Sequence, residues 1–189
     1  KQAQAELVDF HGVGYSILEA SHRSAEFDEV IGTGESLIRE LLGISEDYAV
    51  LFLQGGASTQ FCMIPMNFMG AGQSADYIDT GAWSSKAFKE ADNLGQARVI
   101  ASSKDKNYSY IPKLDGLDYD PQAAYLHITA NNTIFGTEYA DYPSAPAGVP
   151  LIADMSSDYL SRPLDVNKFG MIYGGAQKRS EEHTSELQS

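Results

Sequence analysis

Short runs of apolar residues, most of them closed by a glycine or an acid, recur along the chain after residue 48. Continuous apolar runs of this kind are typical of strands that a parallel sheet buries on both faces. The predicted strands cover residues 49–53, 75–79, 98–101, 123–129, 151–154 and 171–173. Residues 102–114 are polar with alternating tyrosines, which indicates either a loop or an edge hairpin.

Apolar residues at helical spacing fill several of the intervals. Residues 2–10 predict a short helix, and residues 24–42 predict either one core-facing helix or two helices joined near Gly32. Further helices are predicted over residues 61–69 and 81–91. Strands that alternate with helices predict an α/β fold with a mainly parallel sheet, in which ligand-binding groups lie at the carboxyl ends of the strands.

Composition narrows the class of protein. The chain has 189 residues and is 43% hydrophobic, as expected of one soluble globular domain. Its 26 acidic and 13 basic residues give a formal net charge of -13, and the basic residues form no cluster, which argues against nucleic-acid binding. A small anionic substrate would therefore have to be bound by a few individually placed cations. The single cysteine, Cys62, excludes an intrachain disulfide, and we expect it to be buried. Without a secretory signal or a run of roughly 20 apolar residues, we expect no membrane partner and a cytoplasmic location.

A glycine turn, Gly55-Gly56, stands between a predicted strand and a predicted helix. This arrangement aims backbone N–H groups and the positive end of a helix dipole at one point, which favours a phosphate. Ser58 and Thr59 could add hydroxyl donors or cap the helix. The alternative for this segment is an ordinary tight turn.

Asp154 and Lys178 form the most informative pair, because each follows a predicted strand. A pyridoxal phosphate (PLP) enzyme needs a lysine that holds the cofactor aldehyde as a Schiff base, and a carboxylate that keeps the pyridine nitrogen protonated. Alone, Lys178 could be a solvated surface lysine, and Asp154 could cap the turn that Ser156 and Ser157 continue.

The segments ADMSSD, LSRPLDVNKFG and GAQK occur in this order within residues 153–178. They resemble the phosphoserine aminotransferase family, which are class V, fold-type I PLP enzymes. The resemblance implies that Lys178 carries PLP, that Gln177 contacts the cofactor and that Asp154 meets the ring nitrogen. It also implies the three-layer, mainly parallel α/β sheet of the large domain of that fold, here truncated.

Two more segments resemble the parts of this family that hold the cofactor. GGAST resembles the loop for the cofactor phosphate, with Ala57 and Ser58 at the binding positions. GAWSSKAFKEA resembles the segment whose tryptophan stacks on the pyridine ring, here Trp83; the alternative is a core tryptophan. Thr133 takes the position of a threonine that contacts the cofactor, and could otherwise cap a turn. His127, inside an apolar strand, is interpreted as a satisfied core histidine.

The segment EASHRS resembles the family segment whose arginine binds substrate, sometimes across the subunit boundary. The resemblance therefore implies substrate binding by Arg23 and His22, where the residues alone indicate a solvent-facing pair. No metal is implied by this set of residues.

The resemblance implies transfer of an amino group between glutamate and 3-phosphohydroxypyruvate, giving phosphoserine and 2-oxoglutarate in L-serine biosynthesis, and in many bacteria a related step in pyridoxine biosynthesis. The family forms homodimers. One alternative is another class V enzyme, such as an alanine–glyoxylate aminotransferase or a cysteine desulfurase, against which EASHR, WSSKAFKEA and DVNKFG all argue. The other alternative is a non-catalytic α/β binding module in which Lys178 is merely exposed.

We expect two parts in the chain. Residues 1–178 are interpreted as a partial PLP-binding large domain. Residues 179–189, RSEEHTSELQS, resemble the translation of a sequencing adapter and are expected to be non-native, with a native polar tail as the alternative. His183 in this tail therefore receives no functional role.

The 189-residue polypeptide is expected to have little or no transaminase activity. The resemblance implies that donors from a partner chain, and residues of a smaller C-terminal domain, complete the site. The check is an assay of the purified polypeptide with phosphoserine and 2-oxoglutarate. Turnover at the rate of a full-length aminotransferase would contradict this prediction.

Overall fold

A computed structural model describes residues 2–176, which divide into two compact units with the boundary between Leu51 and Phe52. The first unit contains helix α1 (Gln2–Glu6), a 3-10 turn (Ile17–Glu19) and helix α2 (Ala25–Leu42). Of the two alternatives for residues 24–42, the structure has the single helix through Gly32, and α1 is shorter than predicted.

The ends of α2 are explained by local chemistry. The side chain of Ser24 accepts a hydrogen bond from the backbone N–H of Phe27, and Gly43 ends the helix in a left-handed conformation with φ 63°. The expectation that α2 faces a core is wrong, because none of its residues is buried and Leu41 is 67% exposed. Helical spacing identifies the apolar face of a helix, but it does not say what covers that face.

Within residues 52–176, the second unit contains two further helices and seven strands. The elements are α3 (Gly56–Phe68), β1 (Ser74–Asp79), α4 (Ala82–Leu94), β2 (Gln96–Ser102), β3 (Leu126–Thr129), β4 (Asn131–Asn132), β5 (Thr137–Glu138), β6 (Leu151–Asp154) and β7 (Met171–Tyr173), with 3-10 turns at Lys104–Lys106 and Val166–Lys168. Ser102 is the last residue of β2, and residues 103–114 form a loop with one of these turns and no hairpin. No helix among residues 2–176 is both long and apolar enough to cross a membrane.

Five strands form one parallel sheet in the order β2-β1-β3-β6-β7, and β4 pairs with β5 as a small antiparallel ribbon. The prediction of an α/β fold with a mainly parallel sheet is therefore confirmed. Because every strand of the large sheet runs in the same direction, its carboxyl ends meet at one edge.

The two faces of the sheet carry separate hydrophobic clusters. Side chains of α3 and α4, such as Phe61 and Ala87, pack on one face against Tyr77 and Ile152. The opposite face carries Leu126, Ile128, Leu151, Ala153 and other apolar side chains, against which residues of the loops at 111–119 and 139–149 pack. The alternation of side chains along each strand thus separates the helix-covered face from the loop-covered face.

Two predictions about buried segments are wrong. Residues 49–53 form no strand, and Leu51, Phe52 and Leu53 are each more than half exposed. An apolar run becomes a strand only when a neighbouring backbone pairs with it, and composition does not reveal that neighbour. Cys62 is only partly buried, with its Sγ 3.2 Å from the carbonyl oxygen of Thr59.

Truncation of Leu126, which is 0% exposed in the middle of the sheet, should destabilise the fold. We expect Leu126→Ala to lower the free energy of unfolding by about 2–5 kcal/mol, through lost transfer energy and the cavity it leaves. Leu94→Ala is the matched control, because Leu94 is 52% exposed at the end of α4. Urea denaturation followed by tryptophan fluorescence measures both variants, and equal losses would contradict this account of the core.

Candidate active site

The carboxyl ends of the parallel strands gather most of the predicted site residues of the second unit. Asp154 is the last residue of β6, and Thr133 lies in the turn between β4 and β5, just after β3. Trp83 lies in the first turn of α4, just after β1. Since β1, β3 and β6 are neighbours in the sheet, these three residues share one edge.

Asp154 is buried, with 4% of its surface exposed. In the cross-strand register it stands between Thr129 of β3 and Tyr173 of β7. Its Oδ1 accepts two hydrogen bonds from Ser156, one from the backbone N–H at 2.9 Å and one from the hydroxyl at 2.6 Å. A buried carboxylate is expensive unless such donors surround it, so these bonds account for its position.

The end of β7 lies against both Ser156 and the start of α3. The backbone N–H of Gly175 donates to the Ser156 hydroxyl at 3.0 Å. A Cβ on Gly175 would stand 3.6 Å from the backbone nitrogen of Ala57, and one on Gly174 only 3.2 Å from the Cα of Ser156. Gly174 therefore allows the end of β7 to approach the Ser156 backbone closely, whereas a side chain at residue 175 would make ordinary contact with Ala57. The chain reaches Lys178 three residues after Gly175.

Helix α3 begins at this point, and no side chain of residues 2–176 is seen to cap its first N–H groups. Gly55, the residue before the helix, has φ 93° and supplies no side-chain cap. Thr59 is committed to the helix itself, because its hydroxyl donates to the carbonyl of Gly55 at 2.8 Å. Ala57 and the exposed Ser58 lie in this first turn, where a helix dipole favours an anion.

Thr133 is exposed and connects to the Asp154 segment through Ser157. The hydroxyl of Thr133 donates to that of Ser157 at 3.1 Å, and the Ser157 hydroxyl donates to the carbonyl of Asn131 at 3.2 Å. The sequence alone indicates only a turn at Ser156 and Ser157. Their position directly after a strand-terminal acid is the available signal for a larger role.

Trp83 is partly buried and packs in the same hydrophobic cluster as Ala57 and Tyr173. The ammonium group of Lys86 lies 4.5 Å from the centre of its ring, at cation–π distance. Trp83 thus contributes to the core at its inner edge, and its stacking on a cofactor ring stays a prediction.

His127 of β3 stands opposite Ile152 of β6, two residues before Asp154, and is buried. Its Nε2 lies 2.8 Å from the Tyr173 hydroxyl, at hydrogen-bond distance. Because β6 lies between β3 and β7 in the sheet, this hydrogen bond passes over β6, between Ile152 and Asp154. The ring also stacks on Tyr77 with centroids 4.8 Å apart. The prediction of a core histidine is confirmed, although Nδ1 has no hydrogen-bond partner within residues 2–176.

Burial controls the ionisation of this pair. It lowers the pKa of His127 from 6.5 to about 3, because the buried imidazolium would lose its hydration. Burial first, and then the negative charge of Asp154, raise the pKa of Tyr173 well above its ordinary value. Both side chains are therefore neutral near pH 7.

The remaining four predicted site residues lie either outside the described residues or in the first unit. Gln177 and Lys178 lie outside residues 2–176. His22 and Arg23 belong to the first unit, where both are exposed just before α2 and the N–H of Arg23 donates to the Ser21 hydroxyl at 3.2 Å. The described residues contain no cluster of His, Cys, Asp or Glu that could hold a metal ion.

Comparison with known proteins decides the family. The model of the family "Aminotransferase class-V" matches residues 1–180. The chain belongs to this family. Among the curated relatives of this class-V chain, phosphoserine aminotransferase of Desulfatibacillum aliphaticivorans is 59% identical over 179 residues, which cover 94% of this chain and 49% of that protein.

Solved structures of phosphoserine aminotransferases have the same fold as this class-V chain. One, studied for radiation damage of the Schiff base, superposes with a TM-score of 0.91 at 53% identity, over 93% of this chain and 49% of that one. PLP-bound phosphoserine aminotransferase from Trichomonas vaginalis gives a TM-score of 0.86 at 36% identity, over 95% and 50%. The resemblance expected from the motifs is confirmed, and the chain spans about half the length of the curated relatives it matches.

Removing His127 should change how stability depends on pH. In the unfolded chain His127 binds a proton below about pH 6.5, whereas in the folded protein it binds one only near pH 3. Because the unfolded state binds more protons between these values, His127 lowers the free energy of unfolding as the pH falls. Between pH 7 and pH 5 this decrease is about 2 kcal/mol. We expect His127→Gln to lose correspondingly less stability than the parent over this interval in urea denaturation.

The control substitution is His11→Gln, which removes an exposed imidazole from the first unit. It distinguishes the loss of a buried histidine from the loss of any histidine. Identical pH dependence of the two variants would contradict the assignment of this linkage to His127.

Proposed function

We propose that residues 1–178 form part of the PLP-binding large domain of a phosphoserine aminotransferase, and that residues 179–189 are a non-native tail. The whole protein would transfer an amino group between glutamate and 3-phosphohydroxypyruvate, yielding phosphoserine and 2-oxoglutarate for L-serine biosynthesis in the cytoplasm. A related step in pyridoxine biosynthesis belongs to the same proposal. The similarity to full-length phosphoserine aminotransferases at 59% identity supports it.

One observation carries the proposal: the buried carboxylate of Asp154 lies beside an uncapped helix start, with Gly175 between them. PLP has a basic ring nitrogen at one side and a phosphate at another, so it needs an acid and an anion-binding site in one pocket. The residues of the carboxyl edge fit such a group, because Asp154 supplies the acid and the first turn of α3 supplies backbone donors.

Each site residue has a proposed role toward the cofactor. Asp154 would accept a hydrogen bond from the protonated ring nitrogen, and Trp83 would stack on the ring. Ala57 and Ser58 bind the phosphate through the first turn of α3. Thr133 and Gln177 contact the cofactor, and Lys178 holds its aldehyde carbon; the full set is Ala57, Ser58, Trp83, Thr133, Asp154, Gln177 and Lys178.

When bound, PLP withdraws electrons from the bonds of the substrate α-carbon. The ε-amine of Lys178 would hold the cofactor and, as a free amine, would carry the proton between the substrate α-carbon and a carbon of the cofactor. The negative charge of Asp154 would keep the ring nitrogen protonated. Arg23 and His22 bind the anionic substrate, as Arg side chains pair well with carboxylates and phosphates. We further propose a homodimer in which the second chain adds donors to the phosphate.

Borohydride reduction of the full-length protein with PLP should attach the cofactor to Lys178. The measurement is peptide mass spectrometry, and Lys168→Arg is the matched control because Lys168 is an exposed lysine ten residues earlier. We expect Lys178→Arg to abolish the adduct and Lys168→Arg to keep it. An unmodified Lys178, or equal labelling of many lysines, would favour a non-catalytic binding module.

A further inference from the structure

The Ser156 hydroxyl joins two parts of the site that are 19 residues apart in sequence. It donates to Oδ1 of Asp154 at 2.6 Å and accepts the backbone N–H of Gly175 at 3.0 Å. The backbone N–H of Ser156 donates to the same Oδ1 at 2.9 Å. One side-chain oxygen thus connects the end of β6 with the end of β7.

We infer that Ser156 is a positioning residue: its hydroxyl fixes the Asp154 carboxylate and the start of the segment that carries Lys178 relative to each other. The inference rests on the proposed function, in which that carboxylate and that lysine act on one cofactor. Ser156 itself touches neither substrate nor cofactor in this account.

The carboxylate side of the contact has a clear physical effect. Two donors on one oxygen fix the plane of the Asp154 side chain, so the other oxygen points in a constant direction. Bonds to an ionised acceptor are about twice as strong as neutral ones, and these bonds are partly buried, which reduces competition from water. Asp154 therefore has a single preferred orientation before any cofactor binds.

The glycine side of the contact positions the backbone. Pairing between β6 and β7 continues one residue past Asp154, since the N–H of Met155 donates to the carbonyl of Tyr173 at 2.8 Å. The Ser156 hydroxyl then takes the N–H of Gly175, which lies beside Ala57 at the start of α3. The same oxygen therefore orients the acid and holds the backbone at Gly175, which lies three residues before Lys178 in the sequence.

An ordinary turn would not need this hydroxyl. The bond from the Ser156 backbone N–H to Asp154 closes an Asx turn without any side chain at position 156. Ser156→Ala keeps that turn and removes both hydroxyl contacts, whereas Ser156→Thr keeps the hydroxyl. The pair of variants therefore separates turn formation from coupling.

The first experiment needs no cofactor. Amide hydrogen exchange of the full-length protein without PLP reports the Gly175 N–H directly. We expect Ser156→Ala to speed exchange at Gly175 at least tenfold and Ser156→Thr to restore protection. Ser161→Ala is the matched control, because its hydroxyl also donates to a carboxylate, that of Asp158, at 2.7 Å. Unchanged exchange at Gly175 in Ser156→Ala would overturn the inference.

The second experiment uses the protein with PLP. Titration of PLP, followed through the visible absorption of the bound cofactor, should give a dissociation constant roughly 10–100-fold higher for Ser156→Ala, as expected for loss of a bond to a charged group. Ser156→Thr and Ser161→Ala should bind as the parent does. Equal affinity of Ser156→Ala and the parent would overturn the inference.

The two experiments also separate this inference from the proposed function. If the parent protein itself binds no PLP, the proposed function fails, while the exchange at Gly175 still decides whether Ser156 couples the two strands. If the parent binds PLP and both readouts of Ser156→Ala are unchanged, the coupling fails and the proposed function stands.

Discussion

The buried negative charge of Asp154 is the constraint on which the site depends. A carboxylate removed from water loses its hydration and is stable only where donors replace it. Here Ser156 supplies two donors to one oxygen of Asp154. Gly174, directly after β7, packs closely against the backbone of Ser156. A side chain larger than hydrogen at residue 174 would press on the Ser156 backbone, so the turn after β6 restricts which residues can stand directly after β7.

Much of this edge could be predicted from the sequence, because its central strands β3 and β6 are buried along their whole length and read as largely apolar runs. The runs at 151–154 and 171–173 both became strands in the expected sheet. The run at 49–53 looks the same in composition but forms no strand. The difference lies in backbone pairing, which depends on segments remote in sequence and leaves no mark on the run itself.

In the candidate site too, the sequence predicted some features and not others. Motifs identified Asp154, Trp83 and Thr133, and the structure brings them to one edge of the sheet. The contacts that support them were not predictable, because the Ser156–Gly175 bond spans 19 residues and the His127–Tyr173 bond spans 46. Such bonds exist only once the register of β3, β6 and β7 is set.

The strong negative charge of the chain is compatible with an anion site at this edge. Charges separated by more than about 8 Å are largely screened at physiological ionic strength, so the total of -13 has little influence on one pocket. What acts locally is the start of α3, where the helix dipole amounts to roughly half a positive charge. Gly55 and Gly56 carry no side chains that would cover the backbone N–H groups of this first turn. An acidic protein can therefore bind a phosphate through its backbone, and its few cations stay available for substrate.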